Sequence, residues 1–253
     1  MTTVHNSIPF LITRPAGKAD NLLAALDEAQ TGYLYQPLIT TAQVNLSPHD
    51  IQQLRQADAI IFVSVSAVSC LQQQIDADVI QAPLYAVGQT TASALQRWLG
   101  CEVKVPQDQR SEGLLQLPAL TDVAGRNIVI VRGNAGRELI KQSLTARGAA
   151  VRYVQSYKRV ALPLDGELLC QQWQLAGIRC IVATSNEILQ QLFTLVPVAH
   201  HDWLRQRHYI LVSPRMHDSA LTLGIPEQQI ILADNANDWA LLNAISQLKR
   251  EIA

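Results

Sequence analysis

Apolar positions fall along this chain in two alternating rhythms. Short runs of consecutive apolar residues, such as Ile60, Ile61, Phe62 and Val63, alternate with longer segments in which apolar residues recur every three to four positions. The first pattern predicts strands buried on both faces, the second amphipathic helices. Strands are expected over residues 9–13, 33–39, 59–63, 84–87, 101–105, 127–131, 150–160, 179–183, 208–212 and 229–233. Helices are expected over 19–29, 66–75, 91–99, 137–146, 186–195, 217–223 and 238–249, among others. Such strand–helix–strand alternation points to an α/β fold with mainly parallel sheets.

The strand-to-helix turns recur in pairs. FLITRPAGKADNLL (10–23) and IVIVRGNAGRELI (128–140) each place an Arg after a strand and Gly-Lys or Gly-Arg before a helix. IIFVSVSAVSCL (60–71) pairs with CIVATSNEILQQL (180–192) as a serine turn, and LYAVGQTTASAL (84–95) with YILVSPRMHDSAL (209–221) as a small-residue turn. The outer segments run arginine, serine, small-residue, whereas the middle runs serine, small-residue, arginine. After each arginine-turn helix come a Gly and a Tyr-bearing extended run: Gly32-Tyr33-Leu34-Tyr35, and Gly148 leading to Tyr153 and Tyr157. This order is explained by two similar parallel-sheet α/β domains joined by a two-stranded linker, one inserted in the other. The first is expected over 1–38 and 162–253, the inserted one over 42–158. The crossings then lie near 37–42 and 157–163, where Pro37 and Pro163 break both helix and central strand. Two such crossings make a hinge, and a cleft between domains is a favoured ligand site. The alternative is that strand–Gly/Ser–helix turns arise in any α/β protein without duplication.

Composition narrows the function. The chain has 253 residues, 48% of them hydrophobic and 16% charged, with 20 Lys+Arg against 21 Asp+Glu for a net of −1. That excludes a strongly basic nucleic-acid binder and an acidic disordered chain. The four cysteines, Cys70, Cys101, Cys170 and Cys180, show no C-x-x-C spacing and fit a reduced compartment. The opening MTTVHNSIPFLITRP lacks the basic start and apolar core of a signal peptide. No apolar run approaches the about 18 residues of a membrane span. A cytoplasmic protein with no membrane partner is expected.

The six turns would sit at the carboxyl edges of the sheets, where ligands bind in open α/β folds. Ser64, Ser66, Thr90, Thr91, Thr184, Ser185 and Ser213 stand at or beside helix starts. Their ordinary role is N-capping, which is compatible with presenting the remaining N–H groups to an anion. Gly88-Gln89-Thr90-Thr91 and Gly133-Asn134-Ala135-Gly136-Arg137 only loosely resemble phosphate cradles, and no P-loop or G-x-G-x-x-G is present. No H-E-x-x-H, no G-x-S-x-G and no paired carboxylates at helical spacing occur, and no Cys or acidic cluster completes a metal site around His200-His201. Arg14, Lys18, Arg132, Arg137 and Arg215 fall at the turns, where basic residues oppose the helix dipole. They are either surface ion-pair partners or bidentate receptors for an anionic ligand. The residues alone imply a polyanion held between two lobes.

The layout resembles the uroporphyrinogen-III synthases of haem biosynthesis over essentially the whole chain. The resemblance rests on LITRPAGKADNLLAALDEAQ (11–30), FVSVSAV (62–68), YAVGQTTASAL (85–95), SEGLL (111–115), IVIVRGNAGRELI (128–140), VRYVQSYKRV (151–160), IVATSNEIL (181–189) and LVSPRM (211–216), in that order. It implies cyclisation of a linear tetrapyrrole, hydroxymethylbilane, with inversion of ring D through a spiro intermediate in the cleft, by a monomer that uses no metal and no organic cofactor. The substrate is a multiple carboxylate, so helix starts and Arg side chains would hold its rim. The resemblance assigns the acid that assists the leaving hydroxyl to Tyr157; a phenol is a weak donor, so a modest contribution is expected. It assigns substrate binding to Arg14, Ser64, Gly88, Thr91, Arg132, Ser185 and Ser213. Tyr157 could equally be a half-buried hinge aromatic. This sequence departs from the family at Val63, where a Thr often precedes the Ser, and at Met216, where a hydroxyl is expected. A different class of function, a non-catalytic two-lobed binding protein for a small polyanion, fits the same turns. A receiver or nucleotide-binding protein fits less well, for want of an acidic cluster or phosphate loop.

Overall fold

The computed structural model describes residues 9–134, 136 and 138–252. Its strands are β1 (Phe10–Ile12), β2 (Tyr33–Tyr35), β3 (Ile39–Gln43), β4 (Ala59–Phe62), β5 (Leu84–Ala86), β6 (Val103–Lys104), β7 (Asn127–Arg132), β8 (Ala150–Gln155), β9 (Tyr157–Ala161), β10 (Cys180–Val182), β11 (His208–Leu211) and β12 (Ile230–Leu232). Its helices are α1 (Asp20–Glu28), α2 (Pro48–Arg55), α3 (Val65–Leu71), α4 (Gln89–Leu99), α5 (Ser111–Leu114), α6 (Leu139–Ala146), α7 (Gly166–Leu175), α8 (Asn186–Leu195), α9 (His201–Arg205), α10 (Pro214–Thr222) and α11 (Asp238–Ile252).

The chain divides into two compact units: unit 2 spans Thr41–Val160, and unit 1 holds the chain before and after it. Each unit is built on a five-stranded sheet, ordered β12-β11-β10-β1-β2 in unit 1 and β6-β5-β4-β7-β8 in unit 2. All neighbouring strands in both sheets are parallel. The two orders match strand for strand once the permutation is undone. The arginine-turn strand (β1, β7) lies beside the serine-turn strand (β10, β4), then comes the small-residue strand (β11, β5), and the Tyr-bearing strand (β2, β8) closes the other side. Even the register agrees, with Ile12 opposite Tyr35 and Ile130 opposite Tyr153. The expected α/β class with two similar parallel sheets and a two-stranded connection is what the chain forms.

That connection is the β3-β9 pair. Hydrogen bonds from Leu162 N–H to the Leu38 carbonyl and from Val44 N–H to the Ser156 carbonyl, both 3.0 Å, bracket an antiparallel ribbon. Here the structure subdivides two expected strands. The run over 33–39 breaks around Pro37, which has no N–H to continue a ladder, so β2 ends at Tyr35 and β3 starts at Ile39. The run over 150–160 breaks at Ser156, which is fully buried. Its N–H still donates to the Arg132 carbonyl at 3.1 Å, its carbonyl accepts from Val44, and its Oγ donates to the Ala67 carbonyl at 3.1 Å. Ser156 thereby ties sheet, ribbon and α3 together. Helices α2 and α7 lie outside the segments anticipated by name. Their signals are local: Ser47 and Asp50 form a reciprocal capping box ahead of α2, and Asp165 accepts from Leu168 N–H at 3.0 Å to cap α7.

Both sheets are covered on both faces, which is why their strands read as unbroken apolar runs. In unit 1, Leu11, Ile181 and Tyr209 pack with α7, α8 and α10, while Phe10, Ile12 and Val182 pack with α1 and α11. In unit 2, Ile60, Phe62 and Val129 pack with α3 and α4, while Ile61, Ile128 and Ile130 pack with α6. All four cysteines are free thiols. No helix among the described residues is long and apolar enough to cross a membrane.

Two consequences are measurable. Phe62 is 0% exposed, so Phe62→Ala is expected to lower stability by about 3–5 kcal/mol in a urea titration. His208 is pushed below its ordinary 6.5 by burial, then by Arg179 and Arg207, and its Nδ1 is enclosed without a hydrogen-bond partner among the described residues. The unfolded chain then binds this proton more readily than the folded one. Stability from His208 is complete above 6.5 and is lost as pH falls through 6.5 toward the folded value. A melting temperature that drops across that window, with a shallower drop in His208→Asn, is the expected result.

Candidate active site

In unit 2 the chain leaves β4 for β5 and β6 on one side, then returns to lay β7 and β8 on the other. The carboxyl ends of β4 and β7 are therefore a topological switch point, where the following helices diverge and leave a crevice. A cavity of about 230 Å³ opens there, and every residue lining it belongs to unit 2. Its apolar walls include Val63, Val87, Ile130 and Ile140; Ser64, Ser111, Arg132, Tyr153, Tyr157 and Arg159 add polar groups. That volume is below the about 300–1,000 Å³ of whole small-molecule sites, so it admits one fragment of a larger ligand.

Tyr157 opens β9 and is 6% exposed. Its ring occupies the space that a side chain would take at Gly133: a Cβ there would sit 2.5 Å from Tyr157 Cε2 and 2.6 Å from Cζ. No residue but glycine leaves room for the ring. The Tyr157 hydroxyl lies 3.1 Å from Ser64 Oγ. Ser64 is the N-cap of α3 and already accepts from Ala67 N–H at 3.2 Å. When the serine O–H donates to the phenol oxygen, the phenol proton is left for a ligand.

Arg132 ends β7 with its side chain 8% exposed. Its Nη1 donates to Glu138 Oε1 at 2.8 Å, its Nε donates to the Gly133 carbonyl at 3.2 Å, and its guanidinium lies 4.5 Å from the Tyr153 ring centre. Tyr153 O–H donates to the other Glu138 oxygen at 2.7 Å. Burial and this bond to a carboxylate push the Tyr153 phenol up to about 12, against the opposing pull of Arg132. Glu138 is held below the usual carboxylate range by Tyr153 first and Arg132 second. The anionic partner that the Arg132 turn called for is thus an acid of the same chain.

The remaining expected residues are distributed as follows. Gly88 is the N-cap of α4, and the side chain of Gln109 takes the capping role by accepting from Gln89 N–H at 2.8 Å. Thr91 is buried in the first turn of α4. Neither Gly88 nor Thr91 lines the cavity; Val87 does. In unit 1, Arg14 pairs with Asp238 at the start of α11. Ser185 caps α8 through Ile188 N–H at 3.2 Å, and Ser213 caps α10 through Met216 N–H at 3.3 Å. Met216 is 2% exposed in the unit 1 core, so that position offers packing, not a hydroxyl. Lys18 and Arg215 are exposed, and Arg137 lies outside the described residues. His200 bonds to Glu167 at 3.0 Å, His201 to the Phe193 carbonyl at 2.9 Å, and the described residues hold no metal-binding cluster. Sequence reasoning passed over Gly133 as a platform, Ser156 as an anchor, and Glu138 and Tyr153 as partners of Arg132. Gly133 had a signal, a glycine directly after the arginine, but its ring partner lies 24 positions away.

Comparison with known proteins gives one answer. A family model described as uroporphyrinogen-III synthase HemD matches residues 15–242. The uroporphyrinogen-III synthase of Escherichia coli is 37% identical over 245 residues, covering 93% of this chain and 99% of the relative. That of Salmonella typhimurium is 35% identical over the same coverage. Among solved structures, the uroporphyrinogen-III synthetase of Helicobacter pylori superposes with a TM-score of 0.61 at 16% identity, over 97% of this chain and all of that one. A mutant uroporphyrinogen III synthase from Thermus thermophilus gives 0.59 at 17% identity, over 96% and 100%. At those identities the structures speak to the fold.

Gly133→Ala tests the platform. It is expected to displace the Tyr157 ring and abolish most activity while the chain still melts cooperatively; an active Gly133→Ala enzyme would show that the ring position is not needed.

Proposed function

The chain belongs to the uroporphyrinogen-III synthase family of enzymes, and on that premise we propose that the unit 2 cavity holds the reacting end of hydroxymethylbilane while it closes, with ring D inverted, to uroporphyrinogen III. What carries the reading is the Tyr157 hydroxyl, fixed by Ser64 and by the bare backbone of Gly133 inside a cavity beside a buried arginine. About 230 Å³ suits one pyrrole ring and its side chains better than a whole tetrapyrrole.

Loss of the terminal hydroxyl needs a proton at that oxygen, and Tyr157 O–H supplies it while Ser64 O–H steadies the oxygen it leaves. The pyrrole nitrogen's electrons push out the hydroxyl as water and leave an electrophilic azafulvene. The substituted carbon of ring D then attacks to give a spiro intermediate, whose fragmentation and reclosure invert the ring. None of these steps calls for a metal or a redox partner. The chain's main contribution is orientation: free substrate closes without inversion, so the walls must hold ring D with its substituted carbon toward the electrophile. Arg132 supplies the charge that fixes a neighbouring carboxylate. In unit 1, the α8 and α10 starts capped by Ser185 and Ser213, together with Arg14, are further candidates for the remaining carboxylates.

Incubating the purified protein with fresh hydroxymethylbilane and separating the products tests the assignment: mostly the inverted isomer is expected, and mostly the uninverted one would rule it out. Tyr157→Phe is expected to lower kcat about tenfold to a hundredfold, at or below the lower end of general-acid contributions, with the product isomer unchanged. Arg132→Ala is expected to raise KM about tenfold, the value of a charged hydrogen bond, and to alter kcat less.

A further inference from the structure

The two arginine turns carry the same pair of groups. Arg132 follows Ile130 by two residues, and Ile130 stands opposite Tyr153; Arg14 follows Ile12 by two residues, and Ile12 stands opposite Tyr35. In each unit an arginine and a tyrosine from the neighbouring strand thus reach the carboxyl edge together. In unit 2 the pair is filled: one Glu138 oxygen sits 2.8 Å from Arg132 Nη1 and the other 2.7 Å from the Tyr153 hydroxyl. A bidentate acid across a guanidinium and a phenol is how a bound ligand carboxylate would lie. In unit 1 the two donors are not bridged: the Tyr35 hydroxyl is enclosed, with no hydrogen-bond partner among the described residues, while Arg14 pairs with Asp238 from α11. The pair of donors therefore recurs, whereas an acid that spans both donors does not, as expected if the donors are the functional part and Glu138 is an occupant.

We infer that Arg132 and Tyr153 form a receptor for a substrate carboxylate, and that Glu138 fills it until that carboxylate displaces it. This rests on the proposed function of the unit 2 cavity, which both donors line. The donors are built in: the Arg132 side chain is 8% exposed, braced by the Gly133 carbonyl and by Gly136, where a Cβ would come 3.0 Å from Arg132 Nη2. The occupant is not, with half of the Glu138 side chain in water. An ion pair with one member in water is weak, so an incoming carboxylate of the same chemistry exchanges with little loss. Glu138 has somewhere to go. Lys141, three residues on and beside the same Tyr153 ring at 4.6 Å, already draws on its charge. Exchange conserves the charges at the receptor and hands Tyr153 O–H from one carboxylate to the other.

The alternative is that Glu138 braces Arg132 for the substrate, and the two differ in sign. With hydroxymethylbilane as substrate, Glu138→Gln and Glu138→Ala are both expected to lower KM about threefold to fivefold, as loss of a weak competing ion pair permits. Tyr153→Phe is expected to raise KM about threefold or more. Glu138 stands at an exposed helix start, and melting curves confirm that each variant is folded. An unchanged or raised KM in both Glu138 variants overturns the inference in favour of a brace. An unchanged KM in Arg132→Ala would instead overturn the placement of the site, a separate failure.

Discussion

One steric fact organises unit 2. The Tyr157 ring can lie where it does only because Gly133 has no side chain; any Cβ there would overlap the ring by more than an ångström relative to ordinary contact. Gly133 follows the last residue of the interior strand β7, and Tyr157 opens the ribbon strand β9. Their contact seats the ribbon on the sheet's carboxyl edge and aims a phenol into the crevice that the strand order creates. Ser64 and Ser156 secure the seat from α3, one through its Oγ and the other through the Ala67 carbonyl. Remove that approach and the phenol, its serine and the arginine beside them lose their common frame.

The permuted repeat explains how a single chain builds such an edge twice. The unit 2 strand order places β4 and β7, which carry the serine and arginine turns, side by side in the middle of the sheet. In unit 1 the same adjacency joins β10 and β1, which lie about 170 residues apart in the chain and pair in register through Thr13, whose Oγ1 donates to the Val182 carbonyl at 2.7 Å. Divergence between the copies then shows what each copy needs. Arg and Tyr persist at matching register in both, whereas the acid that meets the arginine comes from α11 in one and from the start of α6 in the other.

What the sequence disclosed and what it withheld divide along the same physical line. Apolar runs and turn chemistry are local, so the strands, most of the helices and the parallel α/β class were legible, as was the pairing of turns. Resolution failed where a decision depended on a distant group. Strand 150–160 reads as continuous because nothing in its composition shows that Ser156 is drawn aside by α3 and Val44. Gly166 looks like a helix-weakening residue at the start of α7, yet a Cβ there would come 1.8 Å from the Leu195 carbonyl oxygen, a tertiary demand that its neighbours do not reveal. At the site, Ser64, Arg132 and Tyr157 were recognisable as turn and crossing residues, and all three line the cavity. Glu138 was not, because an acid at a helix start is already explained by the helix dipole.

That last overlap resolves an apparent mismatch between ligand and protein. A many-carboxylate substrate calls for concentrated positive charge, yet the chain carries 20 basic and 21 acidic residues. Steering by a large net field is therefore not available, and recognition has to be local. A guanidinium buried without a partner would be costly in the unliganded protein. Pairing it with an acid of the same chain removes that cost, and a half-exposed acid removes it without making the pair hard to part. On the inference drawn for Arg132 and Tyr153, an arginine held in this way lets a nearly neutral protein keep a receptor for a carboxylate ready at a specific point. The affinity for that carboxylate is then the difference between two similar interactions, which leaves the orientation of the ring that carries it to the cavity walls.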